Sequence, residues 1–310
     1  MAHIPVLLKP TLEYLNAAAG ERFIDCTAGG GGHIRAVLEI NPDARVLGLD
    51  WDQASLDKLA QAFAQEGLGP KVTLVPGNYR DMEKIAQAQE FAPADGILLD
   101  LGFSSLQLDD PARGFSFQAD GPLDMRYSAD QTKTAQQIVN RYNAAELARV
   151  FKDYGEEKFA RRLAAGIVKF RAAEPIATTG QLASAIISSL PGSVRFKATE
   201  TLRRIFQALR LEVNQELDNL RAGLPQAMRL LKPGGRLVVI SFHSLEDRIV
   251  KEFFAHEAKG CVCPPEFPTC VCGKASTARI LTRKPITADE AETAANSRSA
   301  SAKLRALEKI

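Results

Sequence analysis

Four consecutive glycines, Gly29–Gly32, stand between a short apolar run and a helical pattern. The run Arg22–Cys26 is typical of a strand, and His33–Ile40 is typical of a helix that ends before Pro42. Glycines at such a junction let the backbone approach a ligand closely, and the N–H groups of the helix start attract an anionic group. Because four glycines in a row cost considerable backbone entropy, we interpret them as a ligand-binding loop rather than a mere turn.

Strand and helix patterns alternate through the first hundred residues. The further predicted strands are Arg45–Asp50, Lys71–Pro76, Asp95–Asp100 and, much later, Arg236–Phe242, and the helices between the early ones are Ser55–Phe63 and Asp81–Phe91. This alternation is typical of βαβ units that share one parallel sheet. The predicted fold class is therefore α/β, with a Rossmann-like sheet.

The pattern changes after Gly102 to helices without a convincing strand. These helices include Ala144–Asp153, Glu156–Ala173 and Gly180–Leu190. The sequence thus predicts an all-helical insert at residues 110–198 inside a discontinuous first domain, residues 1–109 and 199–310. A long amphipathic helix at Glu200–Leu220 is expected to return the chain to the sheet.

Composition excludes several classes of protein. Of 310 residues, 45% are hydrophobic and 25% are charged, which is ordinary for a globular chain and unlike collagen, disulfide scaffolds or low-complexity segments. The 39 basic and 37 acidic side chains nearly cancel, so a polyanion would have to meet a local patch. Without a signal-peptide pattern or an apolar run of about 18 residues, we expect a cytoplasmic protein with reduced cysteines and no membrane partner.

Asp50 ends the second predicted strand, about twenty positions after the glycine run. A carboxylate at this place accepts the hydroxyl groups of a ribose in dinucleotide-binding folds. Nearby Asp52 is better explained as a helix N-cap. The loop and Asp50 together predict an adenosine-containing cofactor. An NAD-dependent oxidoreductase is the alternative, but the loop does not complete the G-x-G-x-x-G motif of such enzymes, because Ile34 stands at the third glycine position.

Two further features separate the candidate cofactors. The turn Lys232–Gly235 precedes the late strand, and Asp100 ends the fourth strand. Both features resemble those of S-adenosyl-L-methionine-dependent methyltransferases of the Rossmann-like class more than those of dehydrogenases. For the Lys232–Gly235 turn, an ordinary helix-to-strand connection is the alternative interpretation.

The segment from Asp100 to Ser105 resembles, in part, the acceptor loop of amino-directed nucleic-acid methyltransferases. An exocyclic base amine is a poor nucleophile, so Asp100 is expected to accept its N–H group and to aim its nitrogen at the sulfonium methyl. Methylation of a ring carbon would instead need a thiolate. Cys26 lies on the glycine loop and the other cysteines lie near the carboxyl end, so nitrogen methylation is favoured.

Longer motifs carry a more specific resemblance. They are His3–Leu8, Arg113–Phe117, Asp120–Arg126, Tyr154–Ala160, Phe206–Arg210, Ile240–Arg248 and Ser301–Arg305. These motifs closely resemble the bacterial small-subunit ribosomal RNA cytosine-N4 methyltransferases, and the resemblance runs nearly end to end. It implies methyl transfer from S-adenosyl-L-methionine to N4 of a decoding-centre cytidine in 16S rRNA, within a small ribosomal subunit, with the helical insert helping to hold RNA.

The resemblance also implies a set of cofactor-binding residues. They are Gly31, Gly32, His33, Asp50, Tyr79, Asp100 and Gln107. Beside Asp100, we predict that His243 and Asp124 are catalytic and position the cytosine; a structural histidine and an Asx-turn aspartate are the alternatives. A flipped base would stack on Phe103 or Phe115.

Four cysteines, Cys261, Cys263, Cys270 and Cys272, lie within twelve residues. They suit a structural tetrahedral zinc site, although the C-x-C spacing is less usual than C-x-x-C. Reduced, buried cysteines are the alternative.

Basic side chains are concentrated in two places. They are Arg195, Lys197, Arg203, Arg204 and Arg210, and then Arg298, Lys303, Arg305 and Lys309. Both groups suit phosphate contact, and a solvated helix face is the plainer interpretation. A non-catalytic RNA-binding factor is therefore a third class of function.

Overall fold

The computed structural model describes residues 5–102, 107–108, 110–264, 266–267 and 269–310. Within them, seven strands form one sheet in the order β3-β2-β1-β4-β5-β7-β6. The strands are β1 (Arg22–Asp25), β2 (Arg45–Asp50), β3 (Val72–Pro76), β4 (Ala94–Asp100), β5 (Leu231–Ser241), β6 (Ala278–Ile280) and β7 (Lys303–Lys309). Strands β1 to β5 pair in parallel, and β7 is antiparallel to β5 and β6. The predicted α/β class with a Rossmann-like sheet is confirmed.

The parallel strands lie within a few residues of their predicted bounds, whereas β6 and β7 were not predicted. Strand β6 has three residues, and β7 carries charges at positions 303, 305, 308 and 309. Neither offers the continuous apolar run of a strand buried on both faces. The Lys232–Gly235 turn falls inside β5, where pairing with β4 jumps from Ala94↔Leu231 to Gly96↔Arg236.

Helices cover both faces of this sheet. They are α1 (Leu8–Leu15), α2 (Gly32–Ile40), α3 (Gln53–Gln65), α4 (Met82–Ala88), α10 (Glu216–Leu230), α11 (Ser244–Ala258) and the short α12 (Glu290–Ala295). Successive residues of one strand point to opposite faces, so Phe23 packs with α2 and α3 while Ile24 packs in the cluster that contains α4, α10 and α11. The sheet is therefore the middle layer of three.

A second group of helices has its own core. It contains α5 (Ala135–Arg141), α6 (Ala144–Asp153), α7 (Ala160–Arg171), α8 (Thr179–Ser189) and α9 (Ala198–Asn214). The chain divides into one unit of Met1–Gly102 with Leu217–Ile310 and a second unit of Phe103–Glu216. No helix within the described ranges is both long enough and apolar enough to cross a bilayer.

The observed division differs from the predicted boundaries at residues 109/110 and 198/199. Helix α9 belongs to the helical unit, because Leu202, Ile205 and Leu209 are buried in its core. The single predicted helix Glu200–Leu220 is wrong. Gln215 adopts a left-handed conformation, with φ 51°, which ends α9 before α10 begins.

Candidate functional site

The glycine run joins the carboxyl end of β1 to the start of α2. Gly31, with φ 73°, is the N-cap of α2, and its position has no room for a side chain because an added Cβ would lie 2.5 Å from Leu59 Cδ1. At Gly30, by contrast, an added Cβ would meet nothing within 4 Å. The Cβ side of Gly30 therefore faces open space, where a ligand can approach the backbone, while the Gly30 carbonyl oxygen accepts a hydrogen bond from Arg35 Nη1 at 2.6 Å.

Asp50 is tied to this loop. Its Oδ2 accepts a hydrogen bond from Gly29 N at 2.9 Å, and its Oδ1 accepts one from Asp52 N at 2.9 Å. Burial raises the pKa of the Asp50 carboxyl above its usual value. Asp52 instead caps α3, because its Oδ1 accepts from Ala54 N at 3.1 Å, as predicted. Asp50 is thus the carboxylate that faces the glycine loop.

Asp100 ends β4, the strand next to β1, at the point where the strand order reverses. Ligands of open α/β sheets bind outside the carboxyl ends of the strands at such a switch point. Asp100 N donates to Thr27 Oγ1 at 2.8 Å, whereas Asp100 Oδ1 is buried without a hydrogen-bond partner among the described residues. Burial, then the charges of Asp25 and Glu246, raise the pKa of Asp100 well above its usual value. The Asp100 side chain is thus half-buried, at 24% exposed, and its buried Oδ1 still requires a partner.

His33 lies in the first turn of α2 and is buried. Its Nδ1 is 3.8 Å from Asp100 Oδ2, and its Nε2 is 3.2 Å from the carbonyl oxygen of Val6. If Nε2 donates to that carbonyl, the neutral ring has an unprotonated Nδ1 facing the Asp100 carboxyl. His33 is thus more than a helix-start residue, since its ring joins α2 to the end of β4.

A further acid, Asp25, was given no role from the sequence. It ends β1, is buried, and accepts hydrogen bonds from Thr27 N at 3.0 Å and Thr27 Oγ1 at 3.3 Å. Burial is the largest cause that raises the pKa of Asp25 to about 7. The available signal was its position, because Asp25, Asp50 and Asp100 each end a parallel strand.

His243 follows β5, whose Ile240 pairs with Asp100. It is the N-cap of α11, where its Nδ1 accepts a long hydrogen bond of 3.4 Å from Glu246 N. In return, Glu246 Oε2 accepts from His243 N and Phe242 N. The ring's Nε2 is buried 3.2 Å from Glu246 Oε1, without the alignment of a hydrogen bond. His243 is therefore a structural cap whose second nitrogen still lacks an aligned partner in the described chain.

Tyr79 and Asn78 follow β3. Tyr79 is half-buried, and its ring lies beside Gly223 of α10, where an added Cβ would be 3.0 Å from Tyr79 Cδ2. Asn78 Oδ1 accepts from Arg80 N, while Asn78 Nδ2 is buried without a hydrogen-bond partner among the described residues. Sequence reasoning missed Asn78, although its place after a parallel strand was available as a signal.

A model of the MraW methylase family matches residues 1–310, the whole chain. This chain belongs to the MraW methylase family. It is 47% identical over 309 residues to "Ribosomal RNA small subunit methyltransferase H" of Carboxydothermus hydrogenoformans, covering 100% of this chain and 98% of that relative. Relatives with the same name from Symbiobacterium thermophilum, at 49% identity, and Thermomicrobium roseum, at 51%, share 99% of this chain and 96% and 94% of their own lengths. The family resemblance that the motifs indicated is confirmed.

In the helical unit of this methylase, Asp124 is paired locally. Its Oδ1 and Oδ2 accept from Arg126 Nε and Nη2, each at 2.8 Å, and Oδ1 also accepts from Arg126 N at 3.0 Å. Burial acts to raise the pKa of Asp124, but the hydrogen bonds of Arg126 outweigh it and the pKa is lowered. This geometry favours the Asx-turn interpretation, and a catalytic role for Asp124 stays a prediction.

The other predicted residues of the helical unit differ in their surroundings. Gln107 is buried. Phe115 is buried in the helical core and stacks on Tyr127, with ring centroids 5.6 Å apart, so it is not presented for base stacking. Phe103 lies outside the described residues.

Four of the nine predicted basic side chains of the methylase pair with acids. Arg204 pairs with Glu157, Arg210 with Glu216 and Arg305 with Asp247, with nitrogen–oxygen distances of 2.8, 2.8 and 2.6 Å. Lys303 also lies 3.8 Å from Asp247, and Lys309 Nζ donates to Leu231 O. Arg195, Lys197 and Arg203 are instead exposed. In the first group these three side chains are exposed, and the Arg204 side chain is 41% exposed but paired with Glu157.

The four clustered cysteines are brought together. Their Sγ atoms all lie within 4.8 Å of one another. Cys261 and Cys263 are half-buried, and Cys270 and Cys272 are exposed, so the alternative of buried cysteines is wrong.

Proposed function

We propose that this chain transfers a methyl group from S-adenosyl-L-methionine to the exocyclic N4 amine of a decoding-centre cytidine in 16S rRNA. The observation that carries the proposal is the buried Oδ1 of Asp100, which has no hydrogen-bond partner among the described residues and lies at the switch point of the sheet, beside the glycine loop. The printed name of the relatives, a small-subunit ribosomal RNA methyltransferase, supports the class of substrate.

The residues at the sheet edge fit the cofactor. Three buried polar atoms lack an aligned partner in the part of the chain that the structure describes, and each lies at or just after the carboxyl end of a parallel strand: Asp100 Oδ1, Asn78 Nδ2 and His243 Nε2. Gly30 adds open space where a side chain would otherwise stand. Each Asp50 oxygen keeps a lone pair for a ribose hydroxyl after its hydrogen bond to the main chain. The proposed cofactor-binding residues are Gly31, Gly32, His33, Asp50, Tyr79, Asp100 and Gln107. When bound, S-adenosyl-L-methionine supplies a methyl group on a positively charged sulfur.

Asp100 is proposed to hold the acceptor amine. An amine whose lone pair is delocalised into the base must have its N–H bonds accepted and its nitrogen aimed at the methyl carbon. Burial and two neighbouring acids favour protonated Asp100 in the free protein, whereas a positive charge beside it favours the carboxylate. A bound cationic donor would therefore favour the form of Asp100 that accepts an N–H group.

His243 is proposed to position the cytosine from the next strand. Its Nδ1 accepts from the α11 backbone, so the neutral ring carries its proton on the buried Nε2 and offers one donor. This N–H group would donate a hydrogen bond to the carbonyl oxygen or to a ring nitrogen of the cytosine. Asp124 is retained as a proposed positioning residue of the helical unit.

Cys26 argues against methylation of a ring carbon. Its thiol is buried, with Sγ 3.9 Å from Met82 Sδ, and burial followed by the charge of Asp25 raises the pKa of that thiol well above its usual value. Attack on a base carbon requires a thiolate. The cysteine nearest the glycine loop is thus unsuited to that chemistry, which favours the amine as acceptor.

The helical unit is proposed to hold RNA through one exposed patch. Phe196 is 80% exposed and stands between Arg195 and Lys197, both exposed. An aromatic face with flanking cations suits an unpaired base and its phosphates. We call Arg195, Phe196 and Lys197 the aromatic–basic patch.

The test of the proposed function is transfer of label. Small subunits that lack the modification are incubated with the purified chain and methyl-labelled S-adenosyl-L-methionine, and the labelled nucleotide is then mapped. We expect label on N4 of one decoding-centre cytidine. Label on another atom or RNA would overturn the assignment, and binding of RNA without transfer would instead establish a non-catalytic factor. Thermal protection by NAD but not by S-adenosyl-L-methionine would favour the oxidoreductase alternative.

A further inference from the structure

The cysteine cluster lies in the loop between α11 and β6, away from the sheet edge described above. The Sγ–Sγ distances are 3.4 Å between Cys261 and Cys270, 3.6 Å between Cys270 and Cys272, and 3.8 Å between Cys272 and Cys261. Four sulfurs arranged tetrahedrally at a Zn–S distance of about 2.3 Å are about 3.8 Å apart. The cluster thus has close to the dimensions of a mononuclear tetrathiolate site.

Backbone N–H groups point at two of these sulfurs. Cys263 N donates to Cys261 Sγ, and Val271 N donates to Cys263 Sγ, each at 3.4 Å. Donors of this kind orient sulfur ligands and stabilise their negative charge when a metal is bound. A cluster of neutral thiols has no comparable need for them.

The large apolar side chains that the structure describes in this loop are too exposed to hold the cysteines together. Val262, Phe267 and Val271 are 44%, 50% and 70% exposed. Because small, loop-rich segments without a core generally need a metal or a disulfide, some other interaction must maintain this arrangement. Sulfur separations of 3.4 Å and more are far longer than the roughly 2.0 Å of a disulfide bond.

We propose that Cys261, Cys263, Cys270 and Cys272 bind one zinc ion as a structural tetrathiolate centre. Four thiols lose their protons to solvent as four Zn–S bonds form, and no electron is transferred. Helix α11 separates the centre from His243, because its 15 residues span roughly 22 Å at 1.5 Å per residue. The zinc therefore takes no part in methyl transfer.

The role of the centre is to fix the end of α11 to the edge strand β6. Lys274 Nζ, just beyond the last cysteine, donates to the carbonyl oxygens of His256 and Lys259 at 2.6 and 2.5 Å. Thr277 N then donates to Glu257 O at 3.0 Å, directly before β6 begins. A metal that closes the cysteine loop holds these cap contacts in place.

The experiment measures the metal in the full-length protein, purified without a polyhistidine tag or added metal. We expect about one zinc per chain by plasma mass spectrometry, and X-ray absorption showing only sulfur neighbours at about 2.3 Å. Cys272→Ser and Cys261→Ser should each lower zinc content at least several-fold. Cys26→Ala removes the one cysteine outside the cluster and should retain a full equivalent.

A metal-free wild-type chain keeps the test independent of whether the variants fold. Removal of zinc by a strong chelator should lower the melting temperature, and added zinc should restore it. Freshly purified wild-type protein with iron, disulfides or four freely reactive thiols in place of zinc would overturn the proposal. None of these measurements depends on methyl transfer.

Discussion

His33 Nδ1 lies 3.8 Å from Asp100 Oδ2. A side chain from the first turn of α2 therefore lies next to the carboxyl group that ends β4. The other ring nitrogen, Nε2, is 3.2 Å from Val6 O. The imidazole is therefore held between a main-chain carbonyl and the acid proposed to receive the amine. On the proposed function, this contact would let His33 position Asp100, besides its proposed part in the cofactor loop.

Replacing the carboxyl of Asp100 tests the proposed chemistry directly. Asp100→Asn should lower the rate of methyl transfer by about 100-fold or more, because the amide cannot accept the amine N–H with a full negative charge. Cofactor affinity, measured by calorimetry, should fall by a smaller factor, because six other residues are proposed to hold the cofactor. Asp57→Asn, at an exposed position on α3, is the matched control and should behave as wild type. Unchanged turnover of Asp100→Asn would remove this residue from the mechanism.

Asp50 and Asp52 form a matched pair with different expected effects. Asp50→Ala should weaken binding of the cofactor by tenfold or more, since the carboxylate beside Gly29 is the proposed ribose ligand. Asp52→Ala removes the N-cap of α3 and should cost about 1 kcal/mol of unfolding free energy with little change in cofactor affinity. Calorimetric titration and chemical denaturation of both variants separate the two effects. Equal loss of affinity in both would contradict the assignment.

Two glycines of the loop should respond oppositely to an added methyl group. Gly31→Ala should destabilise the fold by a few kcal/mol, because φ is 73° and the new Cβ would lie 2.5 Å from Leu59 Cδ1. Gly30→Ala should leave stability nearly unchanged, since nothing lies within 4 Å, but should weaken cofactor binding. Thermal melts with and without cofactor report both quantities. A Gly30→Ala protein with full affinity would show that the ligand does not approach this backbone.

The free energy of unfolding of the cofactor-free protein should depend on pH through the protonation of Asp25. Its pKa is raised from 3.8 to about 7 in the folded state, so the folded chain binds more protons than the unfolded chain between these values. The contribution of Asp25 is fully present below about pH 4 and is lost as pH rises through 7, to a total of roughly 4 kcal/mol. Asp25→Asn should flatten this part of the curve of unfolding free energy against pH. An unaltered curve would contradict the raised pKa.

The aromatic–basic patch should contribute to RNA affinity. Phe196→Ala is expected to weaken binding to small-subunit RNA by about tenfold, the scale of one lost base stack. The double variant Arg195→Gln, Lys197→Gln should reduce the slope of log binding constant against log salt concentration by between one and two, because two phosphate contacts are lost. Lys152→Gln, at an exposed position on α6, is the control. The measurement is filter binding over a range of salt concentrations. If all variants bound RNA with the same affinity and salt dependence as this control, the aromatic–basic patch would have no part in RNA binding.

The local sequence pattern was sufficient to predict the parallel strands of the sheet. Strands buried on both faces appear as continuous apolar runs, and their ends are marked by acids such as Asp50 and Asp100. Strand β7 could not be found this way. It is an interior antiparallel strand with charged residues, among which Arg305 is buried because it pairs with Asp247. That pairing joins residues 58 positions apart, which no local window contains.

The amino-acid sequence by itself determined the α/β class, the glycine loop, the family and the acids at the strand ends, because backbone propensity and apolar periodicity act over a few neighbouring residues. The tertiary structure decided which of those groups are available for chemistry. It paired Asp124 with Arg126, left Asp100 Oδ1 buried without a partner in the described chain, and gathered four sulfurs into one cluster. Burial, pKa and hydrogen-bond partners depend on segments far apart in the chain, so they exist only once the chain has folded.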